Sequence, residues 1–169
     1  VIVAHVSSGW KAPEICDAGL RRFDELVNYA EEKGVTVAFE NLRKIGNISY
    51  LADRYEDRDN VRFCYDSGHE HGYTRFVSFA DIFRDKIICT HIHDNFGYEY
   101  NPDNPDLHLL PFDGNINYKK MMKKLKEYSY NGPVTLEVFN SAGNGKYSKL
   151  SPDEFIKAAY KRALKISKM

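Results

Sequence analysis

Val35-Thr36-Val37-Ala38-Phe39-Glu40-Asn41 decides the reading of this chain. Gly34 precedes it, β-branched and apolar residues fill it, and a carboxylate and a carboxamide close it. A short apolar run of that kind, bounded by a breaker, reads as a strand buried on both faces. The acid at its end is the informative part. A charge leaving a buried strand is costly unless it is paired, hydrogen-bonded or bound to a cation.

Working outward, the same alternation repeats in both directions. Upstream, Ala18 to Lys33 carries Leu20, Phe23, Leu26, Val27 and Ala30 on one helical face, with Gly34 as its stop. Before it, Val1 to Val6 is a further strand. Downstream come a helical stretch from Ser49 to Tyr55, a strand at Val61–Tyr65, a broken helix around Phe76–Phe83 and a strand at Ile87–Ile92. A loop rich in Asn, Asp and Pro runs from Asp94 to Pro105, and Leu107–Leu110 reads as a very short strand. Tyr118 to Tyr128 is a basic amphipathic helix with Met121, Met122 and Leu125 inward and its lysines outward. Pro133–Leu136 is the last strand, and Ser151-Pro152-Asp153-Glu154 opens the last helix with a capping-box pattern.

Strands alternating with helices imply a parallel sheet with crossover helices. We read residues 1–169 as a single domain, the C-terminal part of a TIM (β/α) barrel. A closed barrel needs eight strands and about 250 residues. Because Val1 already reads as an interior strand, the expectation is that about two β/α units precede it, leaving strands three to eight here. Length alone would favour a flavodoxin-like open sheet. Open barrel edges would in turn favour self-association.

Composition narrows the function. Lys plus Arg and Asp plus Glu balance at 24 each, which speaks against nucleic acid as a partner. The apolar runs are far shorter than a membrane span, and no leader pattern is present. Cys16, Cys64 and Cys89 are an odd number at unrelated spacings, expected to be free thiols in a reducing cytoplasm.

The polar residues at strand ends carry the chemistry. Glu40, Asp66 and Glu137 end strands, His91 lies near the end of another, His5 ends the first, and His108 sits on the short one. In a parallel barrel these ends meet at one mouth. Carboxylates gathered there repel one another unless a cation joins them. Glu40, Asp66, His91 and Glu137 are therefore the expected metal ligands.

Four motifs in order, Ala38-Phe39-Glu40-Asn41, Tyr65-Asp66-Ser67-Gly68-His69, His91-Ile92-His93-Asp94 and Leu136-Glu137-Val138-Phe139, resemble the sugar phosphate isomerase/epimerase family. That xylose isomerase-like TIM barrel family is related to the endonuclease IV-type apurinic endonucleases. The resemblance implies a (β/α)8 barrel here lacking roughly its first two units, with the same four residues on one divalent ion. It also implies His69 as a substrate contact in epimerases or a ligand in endonucleases. His5 matches a third-strand histidine, and Asp106-Leu107-His108 resembles a seventh-strand Asp-x-His, a candidate additional metal set. Two departures stand out. Phe112 replaces the first Gly of the sequel to that strand, and Gly97 stands where epimerases carry an Arg six residues beyond His91.

The implied activity is a metal-dependent isomerase or epimerase acting on a sugar, sugar phosphate or polyol ketone through an enediolate. Mn²⁺, Zn²⁺, Mg²⁺ or Fe²⁺ would suit the mixed donor set. Glu40 and Glu137 are the expected acid/base pair, His69 and His5 the substrate contacts, and Trp10 an apolar wall. The alternatives are an endonuclease IV-like phosphodiester hydrolase at abasic DNA, and a folded but inactive barrel fragment. His93 is expected to be a loop residue or to stand behind the ligands.

Overall fold

The computed structural model describes residues 1–7, 11–74, 76–100 and 102–169. Trp10 lies outside the described residues. Four parallel strands form one sheet in the order β1 (Ile2–His5), β2 (Val37–Glu40), β3 (Val61–Asp66) and β4 (Ile87–His91). Helices α1 (Asp17–Glu32) and α2 (Ile45–Arg54) make the first two crossovers. The third uses α3 (Ser67–Tyr73), α4 (Phe79–Phe83) and a 3-10 turn at Arg84–Lys86. Then follow α5 (Tyr118–Glu127), a short turn with two left-handed residues, α6 (Ala142–Gly145), and α7 (Pro152–Ser167).

Burial explains the strands. All four residues of β2 are buried, whereas β1 at the sheet edge leaves Val1, Ile2 and Val3 exposed. The core forms where α1 lays its apolar face on the sheet: Phe23 meets Phe39 edge-on at 5.4 Å, and Phe39 stacks on Tyr55 at 6.1 Å. On the same face of the sheet, Phe63 of the neighbouring strand stacks on Phe83 of α4 at 3.7 Å. Burying a ring such as Phe39, which has no exposed surface, contributes about 2–3 kcal/mol. Gly34, with φ +63°, turns the chain from α1 into β2 in the left-handed conformation glycine adopts without penalty.

The expected helix starts hold to within a few residues except at two places. Ile45 begins α2 earlier than the apolar spacing from Ser49 suggested, and α3 begins directly on Ser67, where Asp66 caps it. Ser151 caps α7 through the full capping box with Glu154.

Two expected strands are corrected. Leu107–Leu110 and Pro133–Leu136 are not strands but single bridges, Asp94 to Leu109 antiparallel and Ile92 to Leu136 parallel. The physical reasons are local. Pro133 has no N–H to give a ladder, and Thr90 Oγ1 instead donates to its carbonyl at 3.0 Å. His108 takes φ +48°, which breaks an extended run. Among the described residues no helix is long and apolar enough to cross a membrane.

Candidate metal centre

The strand pairing brings the polar ends level. His5 pairs with Glu40, and Asp66 pairs with His91. A register shift between Phe63 and Cys64 inserts one extra β4 residue, and this sets His91 rather than Thr90 opposite Asp66. Asn41 then locks two strand ends together: its Nδ2 donates to the Asp66 carbonyl at 2.9 Å, and the Asp66 N–H donates to its Oδ1 at 2.7 Å.

Glu40 lies at the centre with no exposed surface. Its Oε2 is 3.0 Å from His91 Nδ1 and 3.3 Å from His5 Nε2, and its Oε1 is 3.1 Å from His69 Nδ1. Glu137 Oε2 approaches the same His91 nitrogen at 3.1 Å. One donor atom from each of Glu40, Asp66, His91 and Glu137 lies within 4.8 Å of the other three. Yet both Glu40 oxygens, Asp66 Oδ2, His91 Nδ1 and Glu137 Oε2 are buried and lack any hydrogen bond. Atoms this close that fail hydrogen-bond alignment are aimed at a common point rather than at each other. Buried carboxylate oxygens left unsatisfied are costly, so the arrangement fits a divalent cation. Glu40 and Asp66 close the inner side of the group, while the His91 and Glu137 side chains are 21% and 28% exposed, so it opens outward past them.

Asp66 does two things. Its Oδ1 accepts from the His69 N–H at 2.6 Å as the cap of α3, while its Oδ2 remains with the metal group. A helix cap and a candidate ligand are thus compatible in one carboxylate.

A second group lies beside the first. His69, His93, Asp106 and His108 also bring donor atoms within 4.8 Å of one another. Asp106 Oδ1 is 3.2 Å from His108 Nε2 and 3.5 Å from His93 Nε2, and its Oδ2 is 3.3 Å from His69 Nε2. His93 is the residue that sequence reading missed. It stands two residues beyond His91, where strand alternation keeps a side chain on the same face, and its Nε2 reaches Asp66 Oδ1 at 3.2 Å. The clue was at position 68: a Cβ there would sit 1.9 Å from the His93 ring, so only glycine admits it. His108 stacks on His93 at 4.1 Å and on Phe139 at 4.4 Å, with its Nδ1 held 2.9 Å from the Glu137 carbonyl oxygen. His69 is buried and ligand-like in position, whereas His5, with half its side chain exposed, lines the open rim.

Electrostatics follow from this crowding. Burial raises the Glu40 carboxyl, but contacts with His5, His69 and His91 outweigh it and hold the group below the usual range. The adjoining Glu137 and Glu40 carboxylates, 3.1 and 3.0 Å away, push His91 up to about 10 against its burial. Burial pulls His69 down, but the Asp66 charge and the Asp106 and Glu40 contacts carry it up to about 11. Asp66 and Asp106 are both lowered; burial opposes this, and the neighbouring histidines prevail. Without a cation, imidazolium protons balance these carboxylates.

Asp94 and Asn95 are structural. Asp94 accepts from the N–H groups of Phe112 (2.8 Å), Asn95 (3.0 Å) and Ile116 (3.2 Å), pinning the loop after His108. Asn95 donates to the Gly68 carbonyl at 2.9 Å. Phe112 occupies a left-handed φ of +72°, the conformation that glycine supplies in the related pattern, and Lys165 lies over its ring at 4.1 Å. Gly97 has φ +82° with His71 beside it, so the turn itself selects glycine there.

Known proteins agree with this architecture. A family model described as a xylose isomerase-like TIM barrel matches residues 1–164. An uncharacterized protein of Sinorhizobium fredii is 36% identical over 127 residues, 69% of this chain and 38% of that protein. An inosose isomerase of Halalkalibacterium halodurans is 31% identical over 144 residues, 80% of this chain and 49% of its own length. Among solved structures, the IOLI protein with a bound zinc atom superposes with a TM-score of 0.72 at 23% identity, over 97% of this chain and 61% of that one. A D-allulose 3-epimerase from Methylomonas sp. superposes with a TM-score of 0.63 at 20% identity, over 89% of this chain and 54% of that one. The chain spans less than half the length of these two curated relatives.

Proposed function

Since this chain belongs to the xylose isomerase-like TIM barrel family, we propose that it serves a divalent-metal-dependent isomerase or epimerase of a sugar, sugar phosphate or polyol ketone. In this reading it supplies about strands three to eight of the barrel. The observation that carries the reading is the convergence of orphaned donor atoms from Glu40, Asp66, His91 and Glu137. The name inosose isomerase on a relative of 31% identity supports a polyol ketone within that class.

Glu40, Asp66, His91 and Glu137 would hold the ion. When bound, a divalent cation supplies Lewis acidity that stabilises enediolate charge on the substrate. Glu137, on the open side, is positioned to take a proton from the carbon beside the carbonyl, and Glu40 on the inner wall to return it. His5 at the rim and His69 beneath it would orient substrate oxygens through their ring nitrogens. The free thiols Cys16, Cys64 and Cys89 support a reducing compartment, the cytoplasm.

The test is solvent proton exchange into inososes, ketoses and sugar phosphates by the full-length protein. Glu137→Gln should bind its ion yet lose turnover steeply, because an amide accepts no proton. Near-normal exchange in that variant removes Glu137 from the acid/base role.

The second group favours a companion reading. Its buried, unpartnered His93 nitrogens and Asp106 Oδ1 would suit a second ion, as an endonuclease IV-like hydrolase requires. Metal stoichiometry separates the two: the isomerase reading needs one ion, the hydrolase reading more. Cleavage of abasic DNA with no proton exchange would decide for the hydrolase.

A further inference from the structure

The register that gathers the ligands also sets the residues beneath them. Side chains two apart on a strand share a face, so Cys64 lies with Asp66, and Cys89 with His91. Pairing puts Cys64 level with Glu40 on one side and Cys89 on the other. Cys64 is a free thiol with 1% exposure, and its Sγ lies within 4.8 Å of a Glu40 oxygen and a His91 ring nitrogen. Those two partners are the groups whose donor atoms have no hydrogen bond, and Glu40 is fully buried. The thiol therefore borders donors that already lack a partner.

We propose that Cys64 forms, with Glu40 and His91, a sulfur-containing face of the metal centre that takes a thiophilic divalent ion, Zn²⁺ or Cd²⁺. Hard ions such as Mg²⁺ and Mn²⁺ take the face made by Glu40, Asp66, His91 and Glu137. The faces share Glu40 and His91, so an ion on one excludes an ion on the other. Thiolate sulfur is a soft ligand and oxygen a hard one, and this decides which ion prefers which face. Zn²⁺ accepts mixed S, N and O donors in a small tetrahedral shell. Binding expels the Cys64 thiol proton, and any proton on His91, to solvent, with no change in oxidation state. The proposal rests on Glu40 and His91 holding an ion, and not on which substrate the protein turns over.

The experiment uses the purified protein titrated with Cd²⁺, read by the sulfur-to-cadmium charge-transfer absorption and by cadmium NMR. A parallel titration with Mn²⁺ is read by electron paramagnetic resonance. Wild type should show the sulfur band, and Cd²⁺ should displace Mn²⁺. Cys64→Ser should lose the band and bind Cd²⁺ at least about tenfold more weakly, with Mn²⁺ affinity almost unchanged. Cys16→Ser and Cys89→Ser should keep the band. If Cys64→Ser fails to fold, Cys64→Ala serves in its place, with circular dichroism as the check on both. Mn²⁺ binding without a sulfur band in wild type overturns this proposal and leaves the four-residue centre standing. A band that survives loss of Cys64 also overturns it. Failure to bind either ion overturns both this proposal and the metal reading.

Discussion

Residues 2–91 and residues 92–141 deliver donor atoms to one point by different means. In the first region four parallel strands are fully laddered, and Glu40, Asp66 and His91 arrive by register. In the second, two isolated bridges just past β4, Ile92 to Leu136 and Asp94 to Leu109, join the segment to itself, and Asp106, His108 and Glu137 arrive by side-chain clamps and positive-φ turns. A ladder fixes many residues at once through shared hydrogen bonds. A clamp fixes one residue and depends on a single group such as Asp94. The two regions should therefore fail differently: loss of a donor from the ladder leaves the fold standing, whereas loss of a clamp dissolves its loop.

The largest effect is expected at Glu40, the carboxylate touched by three histidines. Glu40→Gln should weaken ion binding by about 4 kcal/mol, on the order of a thousandfold, with the sheet intact. Isothermal titration with Mn²⁺ and far-ultraviolet circular dichroism measure both halves of that statement. A Glu40→Gln protein that still binds its ion tightly would show that the laddered region is not the main holder.

Asp94→Ala is the matching break in the clamped region. It leaves up to three N–H groups unpaired, one buried and two part-buried, and should cost about 2–3 kcal/mol in urea denaturation. Unlike Glu40→Gln, it should also raise hydrogen exchange in the 106–116 loop. Unchanged stability would mean that water takes over the cap and that the clamp is dispensable.

Proton linkage gives the next effect. The Glu137 and Glu40 carboxylates push His91 up to about 10, and an ion must displace its proton, so affinity should fall with decreasing pH below that value. The slope is about 1.4 kcal/mol, or tenfold, per pH unit for each proton released. In the ion-free protein the sign reverses by group. The raised His91 and His69 contribute stability that is complete below about pH 6.5 and lost as pH rises through about 10 and 11. The lowered Glu40, Asp66 and Asp106 contribute stability present above about pH 4.5, which is lost as pH falls further. Melting temperature against pH, with and without ion, separates the two behaviours.

The smallest change is expected outside both regions. Ser151→Ala removes one half of the α7 capping box and should cost about 1 kcal/mol with no effect on ion affinity. A shift in affinity would mean that α7 steers Glu137.

The contrast also explains which features could be read in the residues alone. The alternation of strands and helices, the buried β2, the capping box at Ser151 and the acids at strand ends were all legible, because each follows from local periodicity or a local cap. Glu40, Asp66, His91 and Glu137 could be gathered on paper because parallel strands share one C-terminal end. Leu107–Leu110 and Pro133–Leu136 were misread as strands, since an apolar run does not reveal whether a partner ladder exists. His93 is expected away from the centre, yet residues two apart on a strand share a face, and it joins Asp66 and Asp106.

The sequence by itself determined the parallel α/β class, the capped helices and the placing of acids where buried strands end, because these depend on neighbours along the chain. Only the tertiary structure decided that a register shift in β4 levels His91 with Asp66, that His93 turns inward over Gly68, and that Cys64 borders Glu40. Those three facts depend on how separate strands and loops meet. A shift of one residue between strands changes which side chains share a site, and no local pattern records it.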